Sequence, residues 1–263
     1  KQEKTIKPAK QEKTINPAKT TKIKKLLVTN KDSCNKVTKT ITTKWKPFFP
    51  RDTNEIEYTY TNTNCTFDIM IDIINDYGEE VDLNLIKNIL IKEYENYGSY
   101  LFLIYNIFSN EGKSDISKKL LLGEIDIETL ILSESYYLSN LDILILANYY
   151  NLPLILLTSF KLKENNKSFL VMNKSESYFY FVKVPMVKSS EKIIYRLFSN
   201  EDNIKLEKNK LSLSLQNDIR IEEEFDLEKY IKNYSITIKK PFKLKLVDNE
   251  EEIQTPLIRN KSL

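Results

Sequence analysis

Apolar residues recur along this chain with two periods, and the places where the period changes mark its elements. From Glu55 to Tyr60 the pattern alternates, Ile56, Tyr58 and Tyr60 against Glu55, Glu57 and Thr59, which predicts a short strand or extended entry segment. The polar run Thr61-Asn62-Thr63-Asn64 reads as a turn. Beyond it Phe67, Met70, Ile71 and Ile74 follow at helical spacing up to a Tyr77-Gly78 stop, so Cys65 falls at the amino end of a helix. A second helix is predicted over about 81–97, with Leu83, Ile86, Leu90 and Tyr94 on one face and Gly98 as terminator. The run Tyr100-Leu101-Phe102-Leu103-Ile104-Tyr105 fits a buried strand and a short apolar helix equally, because period alone does not separate them.

Residues 126–135 are predicted to be helical. Ser139-Asn140-Leu141-Asp142 then forms a capping box, opening a helix that runs to Tyr150 and stops at Asn151-Leu152-Pro153. Leu154-Ile155-Leu156-Leu157 reads as a central strand, and 169–172 and 178–184 as two more, joined by a turn-rich stretch. Past Ser190 the pattern loosens: 193–198 and the alternating Leu211, Leu213 and Leu215 are expected as short strands, 222–234 as a helix, and 236–247 as two extended pieces split at Pro241. The sum is an α/β (α+β) fold: a small mixed sheet flanked by helices over residues 45–190, a β-rich extension with one helix over 191–247, and a polar, mobile tail over 248–263.

Charge adds a further segment. Residues 1–46 hold 14 lysines and three acids (Glu3, Glu12 and Asp32), a net of +11, whereas the remaining 26 basic and 34 acidic residues make the rest −8. Within the basic part a nine-residue unit, Gln2 to Lys10, recurs as Gln11 to Lys19. Repeated proline, excess lysine and few apolar residues predict a self-repelling disordered linker over 1–44. Its alternative role is a polybasic arm making weak, salt-sensitive contact with nucleic acid. The chain opens on Lys1-Gln2-Glu3-Lys4, without an initiator Met or an apolar signal region, and is expected to be a piece of a longer product.

Composition bears on chemistry mainly through one number: the 263 residues include no His. By itself the chain cannot supply a Cys-His or Ser-His-Asp site or an imidazole metal ligand. Two cysteines, Cys34 and Cys65, are too few for a disulfide framework, and a reducing compartment is expected. No apolar run reaches the roughly 18 residues of a membrane span. Gly112-Lys113-Ser114 matches half of a phosphate-binding loop, but Ile107 stands where its first Gly belongs, so an ordinary helix-entry loop is expected. Glu222, Glu223, Glu224, Asp226 and Glu228 are read as a solvated helix start and not as a cation site. No metal and no cofactor is expected.

That leaves Cys65, whose helix-end position favours the thiolate and offers amides for an oxyanion. Asn62-Thr63-Asn64-Cys65-Thr66-Phe67, followed by an apolar helix, resembles the Asp-Gly-Asn-Cys-Leu-Phe nucleophile motif of the OTU (ovarian-tumour-like) cysteine peptidases. Residues 141–157 are similar to the helix, corner and strand that precede that family's histidine strand, and Phe179-Tyr180-Phe181 occupies the stretch of its His-Tyr pair. The resemblance covers about residues 55–185. It implies that Cys65 marks the nucleophile position, that Asn62, Thr63 and Asn64 form the oxyanion-loop equivalent, and that Phe179 stands where the histidine would be. The helix and the Pro-containing strand are also similar to divergent OTU-like segments in long proteins of large DNA viruses.

The resemblance thus implies a catalytically inactive OTU-like module, a protein-interaction or structural domain with ubiquitin or viral proteins as partners, in a host cytoplasm or a virion. An OTU-type thiol needs an imidazole both to lose its proton and to protonate the leaving amine. The rival is therefore a deubiquitinase using Cys65 with a base from another chain. Lys183, on the matching strand, has no pattern to support it as that base.

Overall fold

The structure, a computed structural model, describes residues 35–41, 45–59, 65–111, 113–157, 169–183, 195–201 and 203–232. Six strands form one mixed sheet in the order β1 (Asn35–Thr40), β2 (Thr53–Thr59), β6 (Arg196–Asn200), β5 (Tyr178–Lys183), β3 (Leu154–Leu157) and β4 (Phe169–Met172), and a two-residue β7 (Leu206–Glu207) pairs with the start of β5. β3 and β5 are parallel, and β6 runs antiparallel to both β5 and β2. Hence β2, β5 and β3 point the same way, with their carboxyl ends at one edge.

Strand alternation divides the core in two. Tyr58, Leu197, Tyr180, Val182, Leu154, Leu156 and Met172 face a thick layer of helices: α1 (Cys65–Tyr77), α2 (Leu83–Asn96), α3 (Leu101–Asn110), α4 (Ser114–Leu121), α5 (Ile127–Leu132) and α6 (Asn140–Tyr149). Phe198, Phe179, Phe181, Ile155, Leu157, Phe169 and Val171 face a thinner layer made by Ile41, Trp45, Phe49 and α7 (Leu213–Ile221). α6 is buried from Asn140 to Ala147, which explains why its apolar residues run nearly all round.

The mixed sheet flanked by helices stands as expected, and several boundaries do not. Residues 35–41 do not belong to a linker: β1 pairs with β2 along its whole length, and Ile41 is buried beside Trp45. The rest of that segment, 1–34 and 42–44, lies outside the described residues, as do the expected pieces over 236–247 and the tail. Nor do residues 195–232 form a β-rich extension, because β6 sits between β2 and β5 in the middle of the sheet. Leu213 and Leu215 are helical: Ser212 caps α7 by accepting from the Leu215 amide, and Leu215 and Ile219, four apart, are the buried pair while Leu213 is 77% exposed. The run after Gly98 resolves as helix, with Ile104, Ile107 and Phe108 buried at helical spacing. The expected helix over 222–234 shrinks to α8 (Leu227–Lys232), because Phe225 donates its amide to the Val171 carbonyl at 2.8 Å and the preceding acids lie along the β4 edge.

Candidate functional site

Cys65 is the first residue of α1, as its spacing predicts. Asn62, Thr63 and Asn64 lie outside the described residues. The amino end of α1 is tied to the loop before α6: Thr66 Oγ1 accepts a hydrogen bond from the Leu138 amide at 2.9 Å, and Phe67 packs on Tyr136 with ring centroids 6.2 Å apart. Phe179 is elsewhere. It is fully buried on the sheet face turned away from α1, stacked edge-on with Phe181 at 6.3 Å and paired in register with Leu206. Tyr180 does face α1, but its hydroxyl donates to Asp76 at 2.8 Å. Asp76 is eleven residues beyond Cys65, about 16 Å along the helix at ~1.5 Å per residue. Phe179 therefore does not stand where an imidazole would serve Cys65: β5 brings its start to the wrong end of α1, and alternation turns Phe179 to the wrong face.

What the fold does assemble near the start of α1 is a buried ionic cluster that the sequence shows only in part. Asp142, third residue of α6, accepts from the Ser139 amide and hydroxyl at 2.6 and 2.7 Å, the Tyr136 hydroxyl at 2.7 Å and the Tyr94 hydroxyl at 2.5 Å. Lys113 Nζ lies 3.9 Å from the same carboxylate, donates to the Tyr137 carbonyl at 2.7 Å, and sits 4.3 and 4.4 Å from the ring centroids of Tyr136 and Tyr137. Glu111 accepts from the Asn140 amide at 3.0 Å, and Tyr195 donates to the Leu138 carbonyl and Asn140 Oδ1. Burial pushes the Glu111 carboxyl above its ordinary range, with the Lys113 charge opposing; burial likewise pushes the Lys113 ammonium down, with Asp142 and Glu111 opposing.

The Lys113 and Asp142 side chains have no exposure, so the cluster fastens α2, α4, α6 and the 136–139 loop together and offers nothing to a solvent-borne substrate. Lys113 in particular is not presented to a phosphate; Gly112 is outside the described residues. The capping box reveals Asp142 in the sequence, and Tyr94 lies on the predicted apolar face of α2. The mark of Lys113 is its setting, a lysine between Phe108 and Leu120.

A second charged group lies on the opposite sheet face, near the carboxyl edge. Arg196 pairs with Glu55 and Glu57 at 2.9 Å, Lys39 with Glu57 at 2.8 Å and Lys183 with Glu55 at 3.6 Å. Burial raises the Glu57 carboxyl, but Lys39 and Arg196 outweigh it and hold it below its ordinary range. Lys183 is thus engaged with Glu55 on the face away from α1. Among the described residues no group of three His, Cys, Asp or Glu side chains could hold a metal ion, and no helix is long and apolar enough to cross a membrane. No family model, no curated protein and no solved structure matches the chain.

Proposed function

We propose that this chain is a non-catalytic module, a structural or protein-interaction domain, in which Cys65 begins a helix without serving as an activated nucleophile. The observation that carries this reading is the placement of Phe179 and Tyr180. The strand that the OTU resemblance would use for its base meets α1 at the Asp76 end, and the chain has no His to put there or anywhere else. A helix amino terminus lowers a thiol pKa in part, but it cannot hand a proton to a leaving amine. The OTU likeness is on this reading one of local motif and element order.

The test is incubation of the full chain with ubiquitin chains and with ubiquitin bearing a carboxyl-terminal electrophile. No cleavage and no Cys65-dependent adduct are expected at neutral pH. Rapid labelling abolished by Cys65→Ser would restore the enzyme.

A further inference from the structure

Two exposed patches on this chain are complementary. Leu85 of α2 and Tyr149 of α6, far apart in sequence, line one hollow of about 470 Å³ and are 43% and 51% exposed. Val81, Ile89 and Tyr150 also line it, and Glu79 and Glu80 form its acidic rim. A neighbouring hollow of about 670 Å³ shares Glu79, Glu80, Val81 and Leu85 and adds Asp82, so the two make one groove whose lining among the described residues includes three carboxylates and no basic side chain. At the end of α4, Lys118 and Lys119 stand exposed beside Leu121 and Leu122, which are 46% and 72% exposed. Lys118, Leu121 and Leu122 fall on one helix face. Among the described residues Glu79, Glu80, Lys118 and Lys119 form no ion pair.

We infer that the groove of Leu85, Tyr149, Glu79 and Glu80 on one copy receives the Lys118–Leu122 helix end of a second copy of this chain. A single exposed leucine is ordinary on a soluble surface. Here a hollow that exposes Leu85 and Tyr149 within an acidic lining is matched in the same molecule by an apolar projection with a basic flank. Docking buries the four apolar side chains and neutralises four charges that form no ion pair among the described residues. The contact is heterologous, joining two different patches, so copies can add in succession or close into a ring. The inference rests on the structural-module reading above and names the partner and the surface of that module.

The test is sedimentation velocity of the full chain at concentrations from a few to a few hundred micromolar, in the range of small interfaces. Wild type is expected to show concentration-dependent association that weakens with salt. Glu79→Lys/Glu80→Lys and Lys118→Glu/Lys119→Glu, all at exposed positions, are each expected to weaken association on the order of tenfold or more. A mixture of the two variants is expected to associate again, as is the chain carrying all four reversals.

A wild type that stays monomeric overturns the inference. So does association lost in the groove variant but kept in the α4 variant, or failure of the mixture to recover. Cys65 labelling is read separately: a monomer with an inert Cys65 leaves the non-catalytic reading standing, whereas an associating chain with a reactive Cys65 does the reverse.

Discussion

Lys113 shows how much depends on one side chain that a motif search would file as half a phosphate loop. Its charge lies between Asp142 and the faces of Tyr136 and Tyr137, and its removal leaves Asp142 and Glu111 as buried acids without a cation among the described residues. Lys113→Met is expected to cost about 3–5 kcal/mol in urea unfolding, the range for breaking a buried pair. It should also change the pH dependence. Glu111, already raised by burial, then keeps a proton that the unfolded chain gives up above its ordinary value of 4.5, so the stability of the variant should fall as pH rises through and beyond 4.5. Glu57 behaves oppositely. Its lowered carboxyl contributes stability above 4.5 that is lost as pH falls below that value, and Glu57→Gln should flatten that acid limb in unfolding measured at successive pH values.

At the scale of elements, legibility followed the number of constraints that agreed. The α6 helix was plain because a capping box, an apolar run and a Pro stop coincide, and α1 and α2 because one face is cleanly apolar. Leu211, Leu213 and Leu215 misled because an alternation of three fits a strand, whereas Leu215 and Ile219, four apart, do the packing. Leu215→Ala should therefore cost about 2–4 kcal/mol and Leu213→Ala less than about 0.5 kcal/mol, as read from denaturation midpoints. Equal losses at the two positions would restore the strand. The acids from Glu222 to Glu224 carried helix-start chemistry, yet tertiary pairing of Phe225 with Val171 took that stretch to the sheet edge. No local pattern encodes such an override, nor the insertion of β6 between β2 and β5.

For the whole molecule, the mixed sheet with helices was legible, while the candidate site was legible only as a list of residues. The sequence orders Cys65 and Phe179 along the chain. It does not state which end of α1 meets β5, nor which sheet face Phe179 takes, and those two facts separate the pair. The first follows from the shared direction of β2 and β5, which sets α1 to run back from their carboxyl edge toward the start of β5, and the second from alternation along β5, where Tyr180 takes the α1 face and Phe179 the other.

The most direct test is the rate of alkylation of Cys65 by iodoacetamide against pH, in the full chain carrying Cys34→Ser. The account predicts a rate that keeps rising with pH from about 5 through 8, as for a thiol without a neighbouring imidazole. A rate already on its plateau near pH 5, as for a thiol whose pKa an imidazole has brought to about 3–4, would contradict it.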